Sequence, residues 1–277
     1  MVGVTLSPFA ALHRPPAAPL LLPNAWDHAS AAALAAHGGF PAVGTTSLGV
    51  AAAAGLPDGA GAARAETLRL ARRLGGGPYL LSVDVEGGFA EDPGEVAAFA
   101  RELYEAGAVG VNIEDGGADG TLAAPAAHAA KIEAVKEAVP GLFVNARTDT
   151  HWLPGGDPAE TGHRLEVYQR AGADGVFVPG LADPSGIAAL LASLDVPLNV
   201  LYAPSGPALP ELAELGVGRV SLGSFLFRRA LGAALDAALA VREGREVTGP
   251  APSYGEVQAL APGAPGAPGD PGAPGAP

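Results

Sequence analysis

The sequence predicts an α/β fold, a (β/α)8 or TIM barrel, from two observations. Eight short apolar, strand-like runs recur between residues 20 and 240, and each is followed by a polar or glycine-rich turn and an alanine-rich stretch of helical period. Parallel strands joined by right-handed crossovers in an unbroken series form a sheet that can close at eight strands. A doubly wound open sheet is the competing topology for the same elements.

The strand runs, in order, are LLLPN (20–24), AVGTTS (42–47), YLLSVDVE (79–86), VGVNIED (109–115), LFVNART (142–148), DGVFVPG (174–180), PLNVL (197–201) and RVSLG (219–223). Between them, DHASAAALAAHGG (27–39), GEVAAFARELYEAG (94–107) and PAETGHRLEVYQRAG (158–172) have helical spacing and stop at glycine. Asp92 followed by Pro93 reads as an N-cap with proline in the first helical position. The barrel domain is drawn over residues 1–245. Residues 246–277 are read as a disordered tail, because APGAPGAPGDPGAPGAP (261–277) repeats glycine every third residue over only five triplets.

Composition removes several function classes. Net charge is −13 and the lysines are Lys131 and Lys136 alone, which argues against a nucleic-acid surface. Cysteine is absent, so disulfides, thiolate metal sites and cysteine nucleophiles are excluded, and a cytoplasmic setting is expected. The proline-broken start has no lysine/arginine-rich leader and no apolar run near the roughly 20 residues a bilayer requires, so no signal peptide and no membrane partner is expected.

Alternation along the strands locates the chemistry. Leu81, Val83 and Val85 should face the helices, leaving Ser82, Asp84 and Glu86 inside; Asn112, Glu114, Asn145 and Arg147 follow on the next two strands. Barrel active sites form at the C-terminal strand ends, so three carboxylates and a guanidinium meet at one mouth. Three like charges there call for a cation, and an all-oxygen set selects a hard one, Mg²⁺ or in its place Mn²⁺. Arg147 is expected to pair with an anionic substrate group. Asp149 points toward the mouth or holds Arg147, and Asp115 faces the other way as a cap or support. His28, His37, His128, His151 and His163 show no ligand spacing; His151 is the best placed for catalysis. SLGSF (221–225), at a strand end and helix start, suits an anion held by backbone amides.

Together, LPNAWDHASAAALAAHGGFPAVGTTSLGVAAAAGLPDG (22–59), SVDVEGGFAEDP (82–93), VNIED (111–115), FVNARTDT (143–150) and DGVFVPG (174–180) resemble the isocitrate lyase/phosphoenolpyruvate mutase superfamily over about residues 15–240. The resemblance implies a (β/α)8 barrel with its C-terminal helix swapped between subunits of a homodimer or homotetramer. It implies Mg²⁺ at Asp84, Glu86 and Glu114, with Asp58 of LPDG reached through water. It also implies a carboxylate or phosphonate gripped by Thr46, Ser47 and the Leu48 amide, with Arg147 as the substrate arginine. Trp26 and Asp27 match an aromatic–acid pair beside the substrate, and Asn199 is taken to point into the same pocket. The family's lyases keep a catalytic cysteine after the fourth strand, and its mutases a gating loop containing lysine and asparagine; GGADGTLAAPAAHAAK (116–131) has neither the cysteine nor that loop. The expected activity is a Mg²⁺-dependent carbon–carbon lyase acting on a small 2-oxo or 2-hydroxy carboxylate through an enolate. A phosphonate mutase or hydrolase and a catalytically silent metabolite-binding barrel are the alternatives.

Overall fold

In a computed structural model, which describes residues 6–14, 18–36 and 39–262, all eight strand runs are found and every strand pairing is parallel. The first run is split at Pro23 into β1 (Leu20–Leu22) and β2 (Asn24–Ala25), because proline lacks the N–H a continuous ladder needs. The remaining strands are β3 (Ala42–Thr45), β4 (Leu80–Asp84), β5 (Ala108–Glu114), β6 (Phe143–Arg147), β7 (Gly175–Val178), β8 (Leu198–Leu201) and β9 (Arg219–Ser221). β1 pairs with β9 while β2 pairs with β3, so the sheet comes back on itself and the open-sheet topology is ruled out.

Helices follow the strands: α2 (His28–Ala36), α3 (Ser47–Ala53), α4 (Arg64–Leu74), α5 (Pro93–Glu105), α6 (Pro125–Ala138), α7 (Thr161–Arg170), α8 (Pro184–Leu191), α9 (Leu209–Leu215) and α10 (Phe225–Arg242), preceded by α1 (Pro8–Leu12) and followed by α11 (Tyr254–Gln258). Asp92 caps α5 as expected, accepting from Glu95 N at 3.0 Å. The main core lies between sheet and helices, where Val83, Val111, Ile113, Val144, Val176 and Val200 meet Phe99, Leu103, Ile132 and Leu165. Each such side chain contributes about 1.5–3 kcal/mol on leaving water.

A second, smaller core closes the N-terminal end of the barrel. Phe9 of α1 is buried beneath Leu20, Leu22, Ala42 and Phe143, its ring edge-on to Phe143 at 5.3 Å. A Cβ at residue 110 would lie 2.6 Å from Phe9 Cε1, which is why β5 carries Gly110. Residues 8–12 of the proline-broken start therefore fold as a plug. Part of the stretch read as a structureless tail is also folded: α11 is helical, and the Leu260 carbonyl lies 2.9 Å from His28 Nε2. The glycine-periodic segment from 263 onward and His37 lie outside the described residues. Among the described residues no helix is long and apolar enough to cross a membrane.

Candidate active site

At the C-terminal strand ends is a cavity of about 130 Å³ lined by Asn24, Thr46, Ser47, Leu48, Asp58, Asp84 and Arg147, among others. A wider cleft of about 680 Å³ runs between α7 and residues 193–196 but includes no residue from a strand's C-terminal end.

Asp84 ends β4. Its backbone N–H donates to Thr45 Oγ1 at 2.9 Å, and its Oδ2 accepts from Ser47 N at 3.2 Å, tying it to the turn that opens α3. Burial raises the Asp84 carboxyl above its ordinary pKa, against the lowering effects of Arg147 and the Ser47 amide. Glu86 follows in the left-handed region, φ 49°, a conformation uncommon outside glycine. It is 2% exposed; Oε2 accepts from Gly61 N at 2.8 Å, and Oε1 has no partner. Burial pushes this carboxyl up as well, with Asp58 and Asp84 adding to the effect.

Glu114 ends β5 opposite Arg147 of β6, and Glu114 Oε2 lies 2.7 Å from Arg147 Nη1. The other edge of that guanidinium donates to both oxygens of Asp149, at 2.6 and 3.1 Å. Burial raises the Glu114 carboxyl well above normal despite Arg147. For Arg147, burial favours loss of the proton, but Glu114 and Asp149 outweigh it and hold the guanidinium charged. Asp149 thus holds Arg147, and Asp115 turns outward to accept from Asp149 N at 2.9 Å, Tyr168 Oη at 2.6 Å and Arg164 Nη1 at 3.1 Å.

The other expected residues divide. Asp58 and the Thr46–Leu48 turn line the cavity, whereas Glu86 and Glu114 are buried outside its lining. Asn199 is 1% exposed in the barrel interior, its amide 3.0 Å from Ser221 Oγ, so it supports the floor without lining it. Trp26 and Asp27 are not brought to the cavity. Trp26 packs edge-on to Phe227 at 5.4 Å, and Asp27 Oδ1 accepts from Ser30 N at 2.7 Å in the first turn of α2; both border a separate surface depression with Val50 and Arg73. His151 does not line the cavity, but its neighbour Trp152 does.

Two of the amides expected at SLGSF to face an anion, those of Leu222 and Gly223, are already engaged. Asn24 Oδ1 accepts from Leu222 N at 3.1 Å and Gly223 N at 2.8 Å. Asn24, Trp152, Phe177, Tyr202, Ser221 and Arg228 are cavity residues that alternation did not single out. A lone asparagine in the apolar run LLLPN was a signal for Asn24, and Ser221 lies in the SLGSF stretch read as an anion site.

Among the described residues, no three His, Cys, Asp or Glu side chains stand close enough to ligate one ion directly. The donor set is nevertheless all oxygen, with raised carboxyls at Asp84, Glu86 and Glu114 and an unpartnered Glu86 Oε1. Such a set fits a hydrated divalent cation that touches one or two carboxylates and reaches the rest through water, the habit of Mg²⁺.

Comparison with known proteins shows the family to which this barrel belongs. The family model described as phosphoenolpyruvate phosphomutase matches residues 9–242. An uncharacterized protein of Mycobacterium tuberculosis is 45% identical over 242 residues, 87% of this chain and 91% of that one. The 2-methylisocitrate lyase of Bacillus subtilis is 35% identical over 188 residues, 65% of this chain and 61% of the lyase. A solved Burkholderia cenocepacia structure, named only at the level of lyase/mutase, superposes with a TM-score of 0.82 at 37% identity, covering 90% of this chain and 92% of that one. With its closed parallel barrel and that match across nearly the whole fold, the chain belongs to the phosphoenolpyruvate phosphomutase family, within the isocitrate lyase/phosphoenolpyruvate mutase superfamily of lyases and mutases.

Proposed function

We propose that this protein is a divalent-cation-dependent enzyme, using Mg²⁺ or in its place Mn²⁺, that makes or breaks a carbon–carbon bond in a small 2-oxo or 2-hydroxy carboxylate through an enolate. One observation carries the reading: Asp58, Asp84, the Thr46–Leu48 turn and Arg147 share a cavity of about 130 Å³. Asp84 and Asp58, backed by Glu86 and Glu114, would hold the cation, which when bound supplies electrostatic stabilisation for an enolate oxygen.

The chain's own groups do the rest. The Ser47 amide and hydroxyl are both engaged by Asp84, so the Thr46 hydroxyl and the Leu48 amide are the donors left to grip the substrate carboxylate. Arg147 donates two of its N–H groups to Asp149, and its Nη1 is ion-paired with Glu114; its remaining N–H groups can turn to a substrate oxygen. Phe177, Pro179 and Leu201 give one wall an apolar surface that keeps water from the reacting carbon.

We further propose a cytoplasmic homodimer or homotetramer. On α10, Leu231 and Leu235 are 56% and 60% exposed, an apolar face suited to a second subunit. Light scattering on the purified chain should give a dimer or tetramer mass, and a monomer would overturn this point.

The test of the activity is calorimetric titration of metal-stripped protein with Mg²⁺ and oxalate, an enolate mimic, in wild type and Asp84→Asn. Metal-dependent oxalate binding that vanishes in the variant is expected, followed by release of a 2-oxo acid when 2-hydroxy dicarboxylates are supplied. Wild-type protein that binds neither metal nor oxalate would leave the silent barrel as the better account.

A further inference from the structure

A buried charge lies beneath the cavity. Arg219 opens β9 with its side chain turned into the barrel and is 2% exposed, among the largest fully buried side chains. Its Nε donates to Ser221 Oγ at 2.8 Å, while Nη1 has no partner, and it forms no ion pair with any carboxylate of the described residues. Burial pushes its pKa down to about 9, with Asp84 opposing, so the group still carries its charge at pH 7.

An unpaired cation in an interior is costly, because it leaves water without a partner to offset the loss. The groups beside and below this one are neutral. Strand pairing sets Leu20 and Asn199 next to it. On the floor side, His13 donates from Nδ1 to the Phe9 carbonyl, and burial, with Arg219 adding to it, lowers the ring's pKa to about 3.

Toward the mouth the surroundings change. Ser221, two residues on and about 7 Å farther along the strand, lines the cavity, and the Nε bond turns the guanidinium in that direction. Asp58 and Asp84 stand in the cavity wall, with Glu86 and Glu114 buried outside its lining. Arg147 is compensated locally by Glu114 and Asp149. The field of Arg219 therefore falls on the cavity, through an interior that screens it far less than water does.

Resting on the reading of this cavity as a site for a divalent cation and an anionic substrate, we propose that Arg219 is its counter-charge. Without touching either ligand, it opposes the bare cation and favours the anion that joins it. A divalent cation facing Asp58 and Asp84 is already neutralised, so a substrate anion adds negative charge that Arg219 offsets. The cation is then held weakly alone and firmly together with an acid.

The test rests on opposite signs. Mg²⁺ is titrated into metal-stripped wild type, Arg219→Met and Arg219→Lys at about pH 8, which favours ionised carboxylates, and oxalate is titrated into each at saturating Mg²⁺. Arg219→Met should bind Mg²⁺ about ten-fold tighter and oxalate about ten-fold weaker, the scale of one charge acting over about 10 Å at an effective dielectric constant near 20. Arg219→Lys keeps the charge and should stay within about three-fold of wild type for both. The metal-free Arg219→Met protein should melt at or above the wild-type temperature, since an unpaired buried charge is gone. A residue that merely braces the barrel would, on removal, weaken both ligands and lower that temperature. Affinities that move in the same direction, or not at all, overturn the proposal and leave the cavity reading intact. Wild type that binds neither Mg²⁺ nor oxalate overturns the cavity reading, and the proposal with it.

Discussion

Arg147 and Asp149, two residues apart at the end of β6, are joined by two hydrogen bonds, Nε to Oδ1 at 2.6 Å and Nη2 to Oδ2 at 3.1 Å. Behind them Asp115 accepts from the Asp149 amide and is itself held by Tyr168 and Arg164 from α7. The guanidinium at the mouth is therefore oriented through a chain of contacts that starts outside the barrel. Asp149→Ala leaves Arg147 with Glu114 alone. Breaking a buried pair in this way costs about 3 kcal/mol, to be read from urea unfolding. An unchanged midpoint would show that the fork contributes nothing to stability.

Asp84→Asn keeps shape and removes charge. In wild type, Mg²⁺ at about a hundred times its dissociation constant should stabilise the fold by about 2.7 kcal/mol, visible as a rise in melting temperature. The variant should show no Mg²⁺-dependent rise, while its melting temperature in chelator stays close to, or above, that of wild type, since a buried carboxylate with raised pKa is unfavourable without a cation. An undiminished Mg²⁺ response in the variant would remove Asp84 from the cation site.

His13 sets a pH dependence far from the mouth. Its ring stacks on Phe143 at 4.3 Å, its Nδ1 donates to the Phe9 carbonyl at 2.8 Å, and burial, helped by Arg219, lowers its pKa to about 3. The unfolded chain binds this proton near pH 6.5 and the folded chain does not, so the contribution is complete above about pH 6.5. It is lost as pH falls from there toward 3. Melting temperature measured from pH 7 to 4 should fall less steeply in His13→Gln than in wild type; parallel curves would contradict the assignment.

Gly110→Ala tests the plug. The added methyl would lie 2.6 Å from Phe9 Cε1, and overpacking of this kind costs about 1–3 kcal/mol. Adding Phe9→Ala removes the clash, so the double variant should lose less than the sum of the two single losses. Strict additivity in chemical denaturation would mean the two residues do not meet.

Much of the site was legible because strand alternation is a local rule. Asp84 and Arg147 reach the mouth because a period of two carries their side chains there once the strands are located, whereas the Thr46–Leu48 turn was pointed to by the family resemblance. Trp26 and Asp27, expected beside the substrate from the family resemblance and not from alternation, border a separate depression. They lie just past β2, but capping of α2 turns Asp27 away, and Phe227, some 200 residues later, draws Trp26 to the outside.

By itself the sequence determined the eight strand runs, their parallel order and the acidic character of one barrel end, since each depends on periodicity and residue type within a few positions. Only the tertiary structure decided which charges cancel. Glu114 meets Arg147 across the β5–β6 register while Asp149 holds it from two residues on, Asn24 takes the amides of Leu222 and Gly223, and Arg228 has no counter-ion among the described residues. Charge compensation falls off over a few ångströms of space, and closure of the barrel brings residues 24 and 223 to that distance though they are far apart along the chain.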